Sequence, residues 1–82
     1  MKELVETIVL ALVDEPSQVK VISSVRDEYD VLTVLVAEGD VGRVVGKEGR
    51  IVNALRTVVK AGAAKSQQRV SVEVLSISEY AG

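Results

Sequence analysis

The 82-residue chain has no cysteine, no histidine, no tryptophan and no phenylalanine, and carries one proline and one methionine. Without cysteine there is no disulfide framework and no thiolate nucleophile, and without histidine as well the usual ligands for zinc, copper or haem are missing. No metal or cofactor is therefore expected. The same absences remove the commonest catalytic base and the most reactive nucleophile, and the carboxylates are mostly scattered over the first helix, the hairpin turn and the C-terminus rather than paired. An enzyme is not expected. Tyr29 and Tyr80 are the only aromatic residues in a chain that is 48% hydrophobic, so the core must be assembled from Val, Ala, Leu and Ile. Long apolar runs are missing too. Ile8 to Val13 is preceded by Glu3 and Glu6 and followed by Asp14 and Glu15, too short and too acidic in its flanks for a membrane span or a signal peptide. The expectation is a cytoplasmic protein with no membrane insertion.

A chain of this length fits one domain, taken as residues 1–82, and leaves no room for a second core. The net charge of −2 conceals a segregation. Between Gly39 and Lys65 the basic residues Arg43, Lys47, Arg50, Arg56, Lys60 and Lys65 face only Asp40 and Glu48, while the rest of the chain sets four basic residues against ten carboxylates. A polyanion would be drawn to the first of these parts and repelled by the second.

Hydrophobic spacing predicts the elements. Leu4, Val5, Ile8, Val9 and Leu12 lie on one face of a helix that should stop near Asp14, because Pro16 disfavours helical geometry at Glu15. Gln18 to Arg26 alternates and Val31 to Glu38 is rich in β-branched residues, with the polar Asp27 to Asp30 between them, which reads as an antiparallel hairpin. Gly39-Asp40 offers an N-cap for a short helix over roughly Val41 to Val45. A second helix, about Arg50 to Lys65, sets Ile51, Val52, Leu55, Val58, Val59, Gly62 and Ala63 on an arc of about 140°, wider than the roughly 100° that one core face requires. Part of that arc, Val52, Val59 and Ala63, is a candidate dimer face. After the polar stretch Lys65 to Gln68, Val70, Val72 and Val74 alternate with Ser71, Glu73 and Leu75 as a third strand. The order is α-β-β-α-α-β. A right-handed crossover would lay the third strand parallel to the second, giving an α+β domain with a three-stranded mixed sheet and its helices packed on one face.

Between the two later helices stands Gly46-Lys47-Glu48-Gly49. Glycines admit backbone conformations closed to other residues and let a sugar-phosphate chain approach at van der Waals distance. Because the loop opens a helix at about Arg50, unpaired N–H groups and the positive dipole end should face the same spot, flanked by Lys47 and Arg50. The loop is not a nucleotide-binding P-loop, since Val41 stands where the first glycine should be and Glu48 where a hydroxyl should hold magnesium.

With this element order, the run Gly42-Arg43-Val44-Val45-Gly46-Lys47-Glu48-Gly49-Arg50-Ile51, continued by Ala54-Leu55-Arg56-Thr57, resembles a type II KH domain and, more closely, the small bacterial single-KH proteins of the KhpA family. The length fits a free-standing member. The resemblance implies binding of about four nucleotides of single-stranded RNA or DNA in a groove between the central helices and a strand. Gly46, Lys47, Glu48 and Gly49 would hold the backbone, with Arg43 and Arg50 as flanking phosphate contacts. Val44, Val45, Ile51 and Val52 are candidates for an apolar base platform, a role that core packing equally explains. Tyr29, in the variable loop, either stacks on a base or covers the hairpin end. The family resemblance further implies self-association as a homodimer, a heteromer with a Jag-type KH protein, and a role as an RNA chaperone or post-transcriptional regulator that influences cell-envelope growth. The alternative is a KH-fold protein interaction module with little nucleic-acid binding, favoured by the acidic pI of about 5.0 and by Glu48 beside the phosphate position.

Overall fold

The computed structural model describes residues 1–65 and 67–80. Helix α1 (Lys2–Leu12) is followed by a 3-10 turn at Pro16–Gln18 and by strands β1 (Lys20–Arg26) and β2 (Tyr29–Val36). Helix α2 (Val41–Val45), a 3-10 turn at Lys47–Gly49, helix α3 (Arg50–Lys65) and strand β3 (Val70–Ser76) complete the order. Ser66, in the polar connection expected after α3, lies outside the described residues.

The sheet runs β1-β2-β3, with β1 antiparallel and β3 parallel to β2. The pairing Leu32↔Val72 and Val34↔Val74 sets alternate residues of the two strands on one face. There Val21, Leu32, Val34, Val36, Val70 and Val72 form a single core with Val5 and Val9 of α1, Val44 of α2 and Leu55, Val59 and Ala63 of α3. This is the two-layer α+β arrangement that the element order predicts. Being the middle strand, β2 is buried from Val31 to Val36 on both faces, including Thr33. Of β1 only Val21 is buried, and Val25 is 73% exposed, because this edge strand runs past its helical cover.

Three boundaries differ from the sequence reading. Pro16 starts a 3-10 turn, so β1 begins at Lys20 rather than Gln18. The hairpin turn is Asp27-Glu28 alone, both with left-handed backbone (φ 51° and 71°), and Tyr29 and Asp30 already belong to β2. A turn of this kind matches the right-handed twist of the strands, and the β-forming Tyr29 extends the ladder by pairing with Arg26. At the other end β2 closes at Val36, before a 3-10 turn at Glu38–Asp40.

The apolar arc of α3 divides. Val52, Leu55, Val59 and Ala63 face the sheet, while Val58 on the adjoining flank is 47% exposed. Val52, Val59 and Ala63 are therefore intramolecular core and not a dimer face, which corrects the sequence reading. The side chain of Met1, which precedes α1, lies directly over Gly62, one turn along α3 from the exposed Val58.

Candidate nucleic-acid interface

The glycine loop is built by backbone geometry. Gly46 ends α2 with φ 76° and ψ 175°, a region in effect reserved for glycine, and donates its N–H to the Gly42 carbonyl at 2.8 Å. A Cβ on Gly46 would stand 2.6 Å from Cγ1 of Ile51, so the position is closed to other residues by space as well as by torsion. Gly49 has φ 75°, but a Cβ there would meet nothing nearer than 3.7 Å. Glu48 is also left-handed, at φ 57° and ψ 25°.

The segment Lys47–Gly49 forms a 3-10 turn that feeds α3 without a gap. The N–H groups of Gly49 and Arg50 are bonded inside it, to the carbonyls of Gly46 and Lys47. The donors of Gly49 and Arg50, which the sequence suggests would face a ligand, are thus spent inside the turn. Lys47 is exposed and makes no ion pair among the described residues. Glu48 turns toward Arg50, with Oε2 at 3.8 Å from Nη2, and both side chains are largely in solvent. An exposed pair at this distance holds little energy and leaves Arg50 available.

The residues before and after the loop divide between site and scaffold. Arg43 is engaged elsewhere: Nη2 lies 2.7 Å from Asp14 Oδ2 and Nε 3.5 Å from Asp40 Oδ1. Asp40 occupies the N-cap position of α2 but does not cap it. Its buried carboxylate instead accepts the N–H groups of Asp14 and Glu15, each at 3.0 Å, and so ties the α1–β1 connection to the start of α2. Val44 has no accessible surface and Val52 only 6%, which makes both core residues and removes them from the candidate base platform. Val45 and Ile51 are half-buried and stay at the surface beside the loop.

From the loop a polar stripe runs along α3. Gly49, Asn53, Arg56 and Lys60 recur at three- and four-residue spacing, and so share one side of the helix. Arg56 donates from Nε to the carbonyl of Val72 at 3.1 Å and from Nη1 to Asn53 Oδ1 at 3.3 Å, which fixes its guanidinium between α3 and the free edge of β3. Beside it lies a cleft of about 300 Å³ lined by Arg56, Lys60, Val70, Ser71 and Val72. A second hollow of about 230 Å³ shares Lys60 and Val70 with the first and reaches Tyr29 and Arg69. Together they form a basic trough along the β3 edge, from the middle of α3 to the hairpin.

Arg56 and Lys60 enter the sequence reading only as members of the basic segment and not as contact residues, and Arg69 and Ser71 are not among its site residues. The spacing of Asn53, Arg56 and Lys60 was a legible signal. The contributions of Arg69 and Ser71 depend on β3 pairing parallel to β2 as an edge strand.

Comparison with known proteins gives a consistent result. The family description "KhpA/KhpB, KH domain" matches residues 2–74. A protein of Clostridium acetobutylicum named RNA-binding protein KhpA is 47% identical over 75 residues, covering 92% of this chain and 100% of the relative. The protein of the same name from Clostridium perfringens is 48% identical over the same shares. Its namesake in Treponema pallidum is 45% identical over 74 residues, 90% of this chain and 92% of the relative. No solved structure matches the chain significantly.

Proposed function

Since the chain belongs to the KhpA/KhpB family of KH domains, we propose that it binds single-stranded RNA, with the backbone held at Gly46-Lys47-Glu48-Gly49 and the strand laid along the α3–β3 trough. The observation that carries this reading is the continuity of cationic side chains from a loop of suitable backbone geometry. Lys47 and Arg50 stand at the loop, Arg56 and Lys60 follow on one side of α3, and Arg69 lies beyond. A phosphate at the loop meets the exposed Lys47 ammonium, while Glu48 turns its carboxylate toward Arg50. Val45 and Ile51 supply apolar surface at the loop, and Arg56, locked by two hydrogen bonds, presents a flat guanidinium to a base in the adjoining cleft. The names of the relatives agree with RNA as the ligand.

Few contacts and little aromatic surface make a single domain a weak and loosely selective binder, with affinity in the micromolar range or below and a strong salt dependence. Avidity then has to come from association. We place the homodimer contact on the strip Met1 and Val58, where the start of the chain and α3 leave apolar side chains exposed next to Gly62. A Jag-type KH protein is the second partner proposed, in a cytoplasmic role as an RNA chaperone or post-transcriptional regulator affecting envelope growth. The same strip favours the second reading, a KH-fold module that binds protein alone. DNA is an alternative ligand to be compared directly.

The deciding experiment is fluorescence anisotropy of labelled single-stranded RNA and DNA at low and moderate salt, with a folded Lys47→Asp, Glu48→Asp variant as control. Binding that weakens with salt and is lost in the variant supports the RNA reading. No binding by the natural sequence at high micromolar protein and low salt would reject it in favour of the protein-binding module.

A further inference from the structure

We propose that Tyr29 and Arg69 act as one composite platform that stacks a single nucleobase, a purine by preference, at the hairpin end of the trough. This rests on the RNA-binding reading and adds to it the site where the strand ends.

The two residues are brought together by strand register. Asp30 pairs with Val70 across the parallel β2–β3 ladder, and the Asp30 N–H donates to the Arg69 carbonyl at 2.8 Å. Tyr29, the first residue of β2, is thereby brought beside Arg69, the residue that leads into β3. The guanidinium carbon of Arg69 lies 5.7 Å from the centroid of the Tyr29 ring. Asp27, Glu28 and Asp30 are all close in sequence to that ring, yet Arg69 forms no ion pair among the described residues and rests over the aromatic face. A cation held over a ring is a planar, weakly hydrated surface, and nucleobases stack on such planes as they do on aromatic rings.

The surroundings suit a ligand. Tyr29 is 43% exposed, and both residues line the hollow of about 230 Å³ that continues the Arg56 cleft through Lys60 and Val70. Lys60 stands between the two clefts, where a phosphate linking successive bases would pass. On the far side the next hollow is lined by Glu28 and Asp30 beside Gln67, Gln68 and Arg69. Their carboxylates oppose a further phosphate, which makes the base on Tyr29 and Arg69 the last one held. A chain without phenylalanine or tryptophan has no other aromatic on this path. The preference for a purine follows from its larger stacking surface.

The test compares oligoadenylate and oligouridylate binding by anisotropy for the natural sequence, Tyr29→Phe, Tyr29→Ser and Arg69→Lys, with Lys47→Asp alongside and thermal melts to establish folding. Arg69→Lys keeps the charge and removes the plane. The expected result is that Tyr29→Phe binds normally, whereas Tyr29→Ser and Arg69→Lys each lose at least about fivefold for oligoadenylate and less for oligouridylate. In a Tyr80→Phe background, the emission of Tyr29 should be quenched as oligoadenylate binds. Unchanged affinity in Arg69→Lys and unquenched emission, with binding still abolished by Lys47→Asp, would overturn the platform and leave the RNA reading standing. Absence of RNA binding in the natural sequence would overturn both.

Discussion

Gly46 and Ile51 stand so close that a single methyl group on the glycine would reach 2.6 Å from Cγ1 of the isoleucine. The contact joins the end of α2 to the first turn of α3 and fixes the angle at which the loop leaves one helix and enters the next. It also separates two glycines that look equivalent in the sequence. Gly46→Ala must strain the backbone and displace a β-branched side chain, and is expected to cost about 3 kcal/mol. Gly49→Ala strains only the backbone, at about 1 kcal/mol. Urea denaturation of the two variants should preserve that order.

The left-handed pair Asp27-Glu28 has the backbone of a turn that prefers Asn-Gly. Asp27→Asn together with Glu28→Gly should raise stability by about 1 kcal/mol, seen as a higher urea midpoint at unchanged slope. Since the turn lies beyond the proposed end of the RNA track, loss of its two charges should also let longer oligonucleotides gain affinity.

Asp40 makes contacts that no local pattern announces. Its carboxylate satisfies two backbone N–H groups more than twenty residues away and meets Arg43. Asp40→Ala should destabilise the protein by about 2–3 kcal/mol, because partly buried donors lose their acceptor. Asp14→Ala, which removes only an exposed partner of Arg43, should cost less than about 1 kcal/mol. Thermal melts of the two variants distinguish them.

Gly62 sits inside α3 with Met1 over it. An alanine there would push against the far end of a flexible side chain, which can swing aside, while the helix gains up to about 1 kcal/mol in propensity. Gly62→Ala should therefore be neutral or stabilising in denaturation. By changing the proposed association strip it should also shift the monomer–dimer equilibrium in sedimentation velocity, and Val58→Asp should shift it fully to monomer.

Much of this fold is readable from local spacing. Val5 and Val9 of α1, the alternation from Val70 to Val74 and the glycine pair at 46 and 49 are patterns in which each residue's neighbours decide its conformation. The side of α3 that meets the sheet is different in kind. A helical wheel gives the width of the apolar arc, but which part is covered depends on α1 and on the sheet, so Val52, Val59 and Ala63 read as partner-facing when they are core. Val44 shows the same ambiguity on α2. The trough is also non-local: Arg69 comes beside Tyr29 through strand register, and Arg56 reaches Val72 from a different element. At Asp40 an N-cap residue stands in the expected position and spends its side chain on another segment.

The hydrogen bond from Arg56 to the carbonyl of Val72 has a consequence unrelated to ligands. As an outer strand of the sheet, β3 offers outward-facing backbone groups on which a foreign strand could grow, and its valine-rich sequence is of a kind that aggregates through such edges. A guanidinium seated on the middle of that edge occupies one rung and places a charge where a docking chain would have to bury it. The side chain proposed to face RNA thus also obstructs the exposed edge of the sheet.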